Sequence, residues 1–426
     1  ATLLLVAGLA LYPALLGFVQ ARWCNRQRPT HALLVLPALW VLFEWIRSWF
    51  LTGFPWLNLG YSQSDTWLAG YAPWLGVYGV SLVVAIASGL LVQSLQAPEK
   101  FLRRYLPALL AIFLSGWLAG KIEWTEPAGA PLPVALVQGN VPLELKWQPA
   151  YRGAILERYR LLSAQAGDAR LIVWPEAAIP ARLDEIDPGY LADLKQRNTD
   201  FLIGVIERDN STRNHYNSVM ALGRDGRSCA SCDRDTGASL HGAGIYRKQH
   251  LVPFGEFLPF PGLLRWLLDS LRIPMSDFST GGANQPPLAA AGQKIGVSVC
   301  YEDAFGEEII RALPAATLLA NVSEDAWFGD SLAPHQRIQM ARLRALESGR
   351  PMLRAANTGP SVVIDHRGAV AARSPQFQSF VLRASVEPRQ GATPYVRWGN
   401  APIVGLLAGL VLAVFVVTRR RVVAPR

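Results

Sequence analysis

Charge is scarce in this sequence. Only 17% of its 426 residues are Asp, Glu, Lys or Arg, while 51% are hydrophobic and the mean hydropathy is +0.19. So much apolar content with so few charges excludes a disordered chain. Cysteine and histidine are also sparse, at 4 and 6 residues, which leaves little material for a metal site. There is no G-x-S-x-G, H-E-x-x-H or P-loop, so serine-hydrolase, zinc-protease and NTPase readings have no anchor. No repeat of 20–50 residues and no low-complexity tract is evident.

What the chain has instead is apolar runs. Residues 1–20, 31–50, 72–92, 105–120 and 401–418 are rich in Leu, Ala and Val. At 1.5 Å per residue, about 20 residues in a helix cross a hydrocarbon core of about 30 Å. Five membrane spans are expected, the second carrying Glu44 and Arg47 near one end and the fourth being short.

The formal charge of +9 then has a location. Arg22, Arg26 and Arg28 lie between the first two runs, Lys100, Arg103 and Arg104 between the third and fourth, and Arg419, Arg420, Arg421 and Arg426 after the fifth. Against these ten stands Glu99, so the three short segments hold the whole excess. Long-range attraction to nucleic acid loses its support, because the rest of the chain is balanced. The positive-inside rule makes the three segments cytoplasmic and puts the stretch from about 121 to 399 on the outer side. That topology starts the chain outside with no signal-peptide features, which leads us to expect further spans upstream.

The expected division is transmembrane helices over 1–122, a catalytic domain over 123–398, and a last span with a basic tail over 399–426. In the middle part, runs at 134–138, 171–174, 201–206, 294–299, 317–322, 361–365 and 380–386 read as strands, and 151–166 and 335–349 have helical spacing. The fold class expected is a membrane α-helical bundle plus a layered α/β domain. Two outer segments are unusually apolar: 51–74, with Trp56, Trp67 and Trp74, and 257–278, with Phe260, Trp266 and Leu267. The first reads as an interfacial aromatic belt, the second as an element that touches lipid or covers a lipid site.

Three positions can carry chemistry. Cys300 ends the strand-like KIGVSVC before GEEIIRAL, where a tight turn presents the sulfur and helix N–H groups favour the nucleophilic thiolate. Glu176 closes LIVWPE, where a carboxylate beside an apolar strand end can shuttle protons. Lys248 can stabilise an oxyanion, with Glu256 eight residues on to hold it.

Together, WPE, HLVPFGEFLP, CYED and NVSEDAWFG, set between apolar spans, resemble the apolipoprotein N-acyltransferase branch of the nitrilase superfamily. The resemblance covers nearly the whole chain. It implies an α-β-β-α sandwich outside the cytoplasm of a bacterial inner membrane, with Cys300 as nucleophile, Glu176 as general base and acid, and Lys248 as oxyanion stabiliser. Glu256 would be a second essential carboxylate, while Trp147, Tyr301 and Glu302 would support activity or acyl-chain placement. The implied partners are a phospholipid acyl donor and a diacylglyceryl-apolipoprotein acceptor, with no cofactor and no metal. One departure is Glu324 in NVSEDAWFG, where the family more often has Asn.

Two other readings compete. A membrane-tethered amidase would share the triad but use water as acceptor, and a lipid-binding or transport protein would carry an inactive outer domain. Few ionisable residues lie in the spans, which leaves an ion pathway unsupported. Cys229 and Cys232 form a C-x-x-C near His241, for which a local disulfide is the bland reading; Cys24 is expected to be reduced. Gly405 and Gly409 make a G-x-x-x-G in the last span.

Overall fold

The computed structural model describes residues 2–23, 30–209, 211–223, 244–257 and 278–423. Cys24, the Cys229/Cys232 pair and nearly all of the apolar segment 257–278 lie outside the described residues. Two compact units divide the chain, one built from Ala1–Trp124 with Thr393–Arg426 and the other from Thr125–Ala392.

In the first unit all five apolar runs are helical, as Thr2–Trp23, Leu36–Arg47, Ala72–Gln96, Leu106–Ala119 and Ala401–Val423. Pro37, Pro73 and Pro107 sit where a wider or tighter turn, His31–Val35, Trp67–Tyr71 or Phe101–Tyr105, gives way to the α-helix, so the missing N–H falls at a change of hydrogen-bond register. Among the described residues, Trp67–Gln96 and Pro98–Ala119 are long and apolar enough to cross a bilayer. Val6–Arg22 and Ala401–Val416 are apolar but shorter. The second run is helical only to Arg47, and its polar pair is structural. Glu44 Oε1 accepts from Trp40 Nε1 at 3.0 Å and from the Leu59 N–H at 2.8 Å, and Arg47 Nη2 donates to Asn58 Oδ1 at 2.6 Å. Both fasten the aromatic segment after this helix, in which Tyr61 is buried and Trp67 exposed. Gly70 and Gly116 let two backbones touch where a Cβ would collide, whereas Gly405 and Gly409 face open space. The G-x-x-x-G is therefore no packing seam among the described residues.

Residues 393–398 cluster with the helices rather than with the α/β unit. Thr393 Oγ1 caps the turn Pro394–Trp398 by accepting from the Val396 N–H, and the Tyr395 ring packs where a Cβ on Gly76 would stand.

The second unit holds two six-stranded sheets. The first runs β13 (Phe380–Val386), β2 (Leu132–Gln138), β3 (Leu171–Val173), β4 (Asp200–Arg208), β5 (His215–Leu222), β6 (Gly244–Arg247). The second runs β12 (Val370–Arg373), β11 (Val362–Ile364), β10 (Met352–Ala356), β9 (Leu318–Ser323), β8 (Gln293–Val299), β7 (Leu288–Ala290). A short ribbon of β1 (Thr125–Pro127) and β14 (Arg389–Gly391) joins the two ends of the unit.

Strand alternation explains the layering. Val134, Leu136, Leu171, Val173 and Leu202 face Ile295, Val299, Leu318, Ala320 and Leu353 in one core between the sheets. The alternate residues Ala135, Val137, Ile172, Phe201 and Ile203 pack outward on Ile155 and Tyr159 of the helix Arg152–Ala164 and on Leu191 and Leu194 of Pro188–Lys195. Leu319, Met352 and Val362 do the same against Ile338, Ala341 and Ala345 of the helix Ala333–Ser348. The order is helix, sheet, sheet, helix. Strands β2, β3 and β4 are parallel, as are β8, β9 and β10, so their carboxyl ends cluster, and loops there can converge.

Candidate active site

Glu176, Cys300 and Glu324 each follow one of those carboxyl ends, after β3, β8 and β9, and Lys248 follows β6. The turn bearing Glu176 lies flat on β4 because residue 204 is glycine. A Cβ there would stand 2.7 Å from both Glu176 Cα and the Ala177 nitrogen and would strike the Pro175 carbonyl.

Glu176 is buried at 7% exposure and fully partnered. Its Oε1 accepts from Asn217 Nδ2 at 2.7 Å, its Oε2 from the Glu324 N–H at 2.8 Å, and Lys248 Nζ stands 3.7 Å away. Lys248, at 1% exposure, donates to Glu256 at 2.8 Å. Asn217 Nδ2 also donates to Glu256 at 2.9 Å, and the Val252 N–H closes the turn onto the other Glu256 oxygen at 2.8 Å. Burial opposes the ammonium charge of Lys248, but Glu256 and then Glu176 outweigh it and hold its pKa above the ordinary lysine value. At neutral pH this lysine is a fixed cation and no base.

Cys300 has φ +52°, a region non-glycine residues seldom enter, and the half-buried residue is pinned there by Asn321 Nδ2 donating to its carbonyl at 2.8 Å. The expectation that helix N–H groups favour its thiolate is not met. Cys300 opens a tight turn, Cys300–Ala304, and the next helix, Gly306–Ile309, has four residues and is too short for an appreciable dipole. Burial, and then the Glu176 charge, push the thiol up to about 12 against the pull of Arg337 and Lys248. The resting group is a thiol beside a carboxylate.

Glu302 ties the lysine loop to the cysteine turn. Its Oε1 accepts from the Gln249 and His250 N–H groups at 2.7 and 3.0 Å, and its Oε2 from the Val299 N–H at 2.6 Å and the Tyr246 hydroxyl at 3.1 Å. Burial raises its pKa to about 7. Tyr301 is buried edge-on against His250 and Phe305. Trp147 stands apart from this hydrogen-bonded cluster: 38% exposed, it lines a cavity of about 400 Å³ with Pro180, Ala181, Ile206, His215 and Phe278.

Reading the sequence missed several groups. Asn217, inside the apolar strand β5, bridges the two carboxylates. On the far side of the sulfur, Arg337 Nη1 donates to Cys300 Sγ at 3.7 Å and to Asp325 at 3.0 Å, while Nη2 meets both oxygens of Asp303 at 3.2 Å. Arg354 pairs with the same Asp325 at 3.0 Å. Among the described residues no group of His, Cys, Asp and Glu has metal-holding geometry.

Residues 133–395 match the carbon-nitrogen hydrolase family, and residues 1–90 match the apolipoprotein N-acyltransferase N-terminal domain. The chain is 42% identical to an apolipoprotein N-acyltransferase of Methylococcus capsulatus, covering 98% of this chain and 81% of that protein. It is likewise 42% identical to one of Nitrosomonas europaea, covering 97% and 80%. The chain belongs to the apolipoprotein N-acyltransferase family. The solved structure of Saccharomyces cerevisiae Nit3, of the nitrilase superfamily, is similar at a TM-score of 0.44 and 19% identity, over 61% of this chain and 90% of that one. In this apolipoprotein N-acyltransferase family member, Glu324 is held inside the fold. It is a buried carboxylate paired with Lys146 at 2.5 Å.

Proposed function

We propose that this protein is an N-acyltransferase that moves an acyl chain from a phospholipid, through a thioester on Cys300, to the α-amine of an apolipoprotein's N-terminal S-diacylglyceryl-cysteine. The observation that carries the reading is the 42% identity to proteins of that name over 98% of the chain; the geometry around Cys300 supports the roles. A thiol pushed up to about 12 supplies only about one thiolate in 10⁴ at pH 8, so a base must act during attack. Glu176 takes the Cys300 proton as sulfur bonds to the ester carbonyl carbon, and the carbonyl oxygen becomes an oxyanion beside the Lys248 ammonium. As the C–O bond breaks, Glu176 returns the proton to the departing lysophospholipid oxygen, leaving the thioester.

In the second half the amine attacks the thioester carbonyl and gives a proton to Glu176. Collapse forms the amide, and the leaving sulfur recovers that proton, so the enzyme returns unchanged. Glu256 and Asn217 keep the ammonium and carboxylate apart from solvent and fixed relative to each other. The expected setting is a bacterial inner membrane with the α/β domain on its outer side, supported by the three basic segments and the apolar helices.

The test is intact mass after incubating the purified protein with phospholipid. An acyl-sized, hydroxylamine-sensitive increment in the wild type that is absent from Cys300→Ala is the expected result. Wild type that releases lysophospholipid without ever gaining the increment would remove Cys300 from the mechanism.

A further inference from the structure

Behind Glu176 lies a second ion pair that the reaction itself does not use. Lys146 ends the short turn Leu143–Lys146 and is 2% exposed; Glu324 follows β9 and is 5% exposed. The Lys146 ammonium donates to Glu324 Oε2 at 2.5 Å and to the backbone carbonyl of Glu176 at 3.0 Å. Glu324 in turn gives its own N–H to Glu176 Oε2 at 2.8 Å. The pair thus grips the base twice, once by its backbone and once by its carboxylate. Asn357 Nδ2 completes the clamp by donating to both Glu324 oxygens, at 3.1 and 2.9 Å, and to the Val141 carbonyl at 2.8 Å.

We propose that Lys146 and Glu324 are positioning residues for Glu176, a neutral buried clamp that sets the orientation of the base without adding net charge to it. The inference rests on Glu176 acting as the base. The charged or titratable groups facing Glu176 are Lys248 at 3.7 Å, Glu256 across the shared Asn217 amide, the Cys300 thiol, and this pair. Lys146 and Glu324 cancel each other, so removing either member alone exposes Glu176 to an uncompensated charge of known sign. Unpaired Glu324 repels a carboxylate and favours its protonation; unpaired Lys146 does the reverse. A pair that merely filled the core would lower rates without moving a pH profile in opposite directions.

The experiment is single-turnover acylation of the full chain across pH, using phosphatidylethanolamine and phosphatidylglycerol in detergent and intact mass as the readout. In Lys146→Met the acid limb of the profile moves to higher pH by about one unit, and in Glu324→Gln it moves lower by a similar amount. The double variant, K146M/E324Q, returns the limb close to its wild-type place but acylates about tenfold more slowly with KM for phospholipid unchanged, because the Glu176 carbonyl loses its donor and the ion pair no longer pins the turn whose N–H holds the Glu176 carboxylate. Limbs that move the same way in both single variants, or that stay put in both, overturn the proposal. If either single variant does not fold, the double variant carries the test alone, since it buries no unpaired charge; wild-type kcat in it overturns the proposal. Glu176→Gln, measured in parallel, separates the two levels: if it acylates with an unchanged limb, the base assignment fails rather than the clamp.

Discussion

Two buried charge clusters flank Cys300, and they are built from different residues. On one side Glu176, Glu256 and Glu324 meet Lys248 and Lys146, three carboxylates to two ammonium groups. On the other, Asp303 and Asp325 meet Arg337 and Arg354 in a balanced set at 0–1% side-chain exposure. The first has a carboxylate in excess, which adds to burial in raising the thiol and can receive its proton. The second has none to spare. Guanidinium groups do not deprotonate in proteins, and their planar forks lock carboxylates in place. One cluster is suited to moving a proton, the other to fixing the shape of the turn around the sulfur.

If that division is right, damage to the first cluster appears in rate and damage to the second in stability. Glu176→Gln keeps the size and the Asn217 contact region but cannot take a proton, so acylation measured by intact mass falls by about 10²–10⁴. The same change removes the charge that raises the Cys300 thiol, so alkylation by iodoacetamide at pH 8 becomes faster. Slow alkylation together with slow acylation would instead mean that the site had collapsed. In the wild type, with a thiol near 12, alkylation climbs about tenfold per pH unit from 7 to 10 without levelling.

Asp325→Asn addresses the other cluster. It leaves two buried arginines with one carboxylate, a defect that costs about 3–5 kcal/mol, read as a lower unfolding midpoint of the purified protein. Acid has the same effect on the wild type. Burial raises the Asp325 pKa, but Arg354 and Arg337 more than offset this and hold it below the usual carboxylate range. Its stabilising contribution is therefore complete above about pH 4 and is lost as pH falls through the lowered folded value. Acylation per folded molecule should drop far less than in Glu176→Gln. An equal drop would erase the distinction between the clusters.

The same contrast explains what could be read from the sequence. Glu176 and Cys300 stood out as candidates because each closes an apolar strand, and Lys248 because Glu256 follows at a short spacing within a long motif; the structure brings Glu176, Lys248 and Glu256 together. The five helices and the strands β2, β4 and β8 were legible from their apolar content, and β13, FVLRASV, from the β-rich run Phe380–Val386 despite its Arg383. Strand β10 was not, because Arg354 interrupts MLRAA, and only the partners supplied by distant β9 make that arginine compatible with a core. Strand β5 was missed for a related reason, since Asn217 and Ser218 are buried polar residues in HYNSVMAL. Lys146 looks like a solvated turn residue until Glu324, 178 positions later, folds onto it. Polar residues satisfied across long sequence distances carry no local period, and the second cluster consists of them.

Gly204 tests whether position alone matters in the first cluster. A methyl group there strikes the Pro175 carbonyl and sits 2.7 Å from Glu176 Cα, so in Gly204→Ala the Glu176 turn must lift from β4. A shift of about 1 Å at a catalytic group costs up to about 10²-fold in rate. Acylation should fall by that order while iodoacetamide alkylation of Cys300 stays within about threefold of wild type, because the charge on Glu176 remains nearby.

Arg337 is the smallest and sharpest case, since it touches both clusters. It belongs to the balanced set through Asp303 and Asp325, yet its Nη1 reaches the reacting sulfur at 3.7 Å and lowers the thiol's pKa. Arg337→Gln removes that cation and leaves the two aspartates with Arg354 alone, so both consequences raise the thiol. Alkylation at pH 9 should slow by about threefold, half a pKa unit, opposite in sign to Glu176→Gln. The contact is long and the guanidinium is already neutralised by its aspartates, which keeps the effect small. Faster alkylation in this variant would mean that the balanced cluster presents a net negative field to the sulfur, and the two clusters would have to be treated as one.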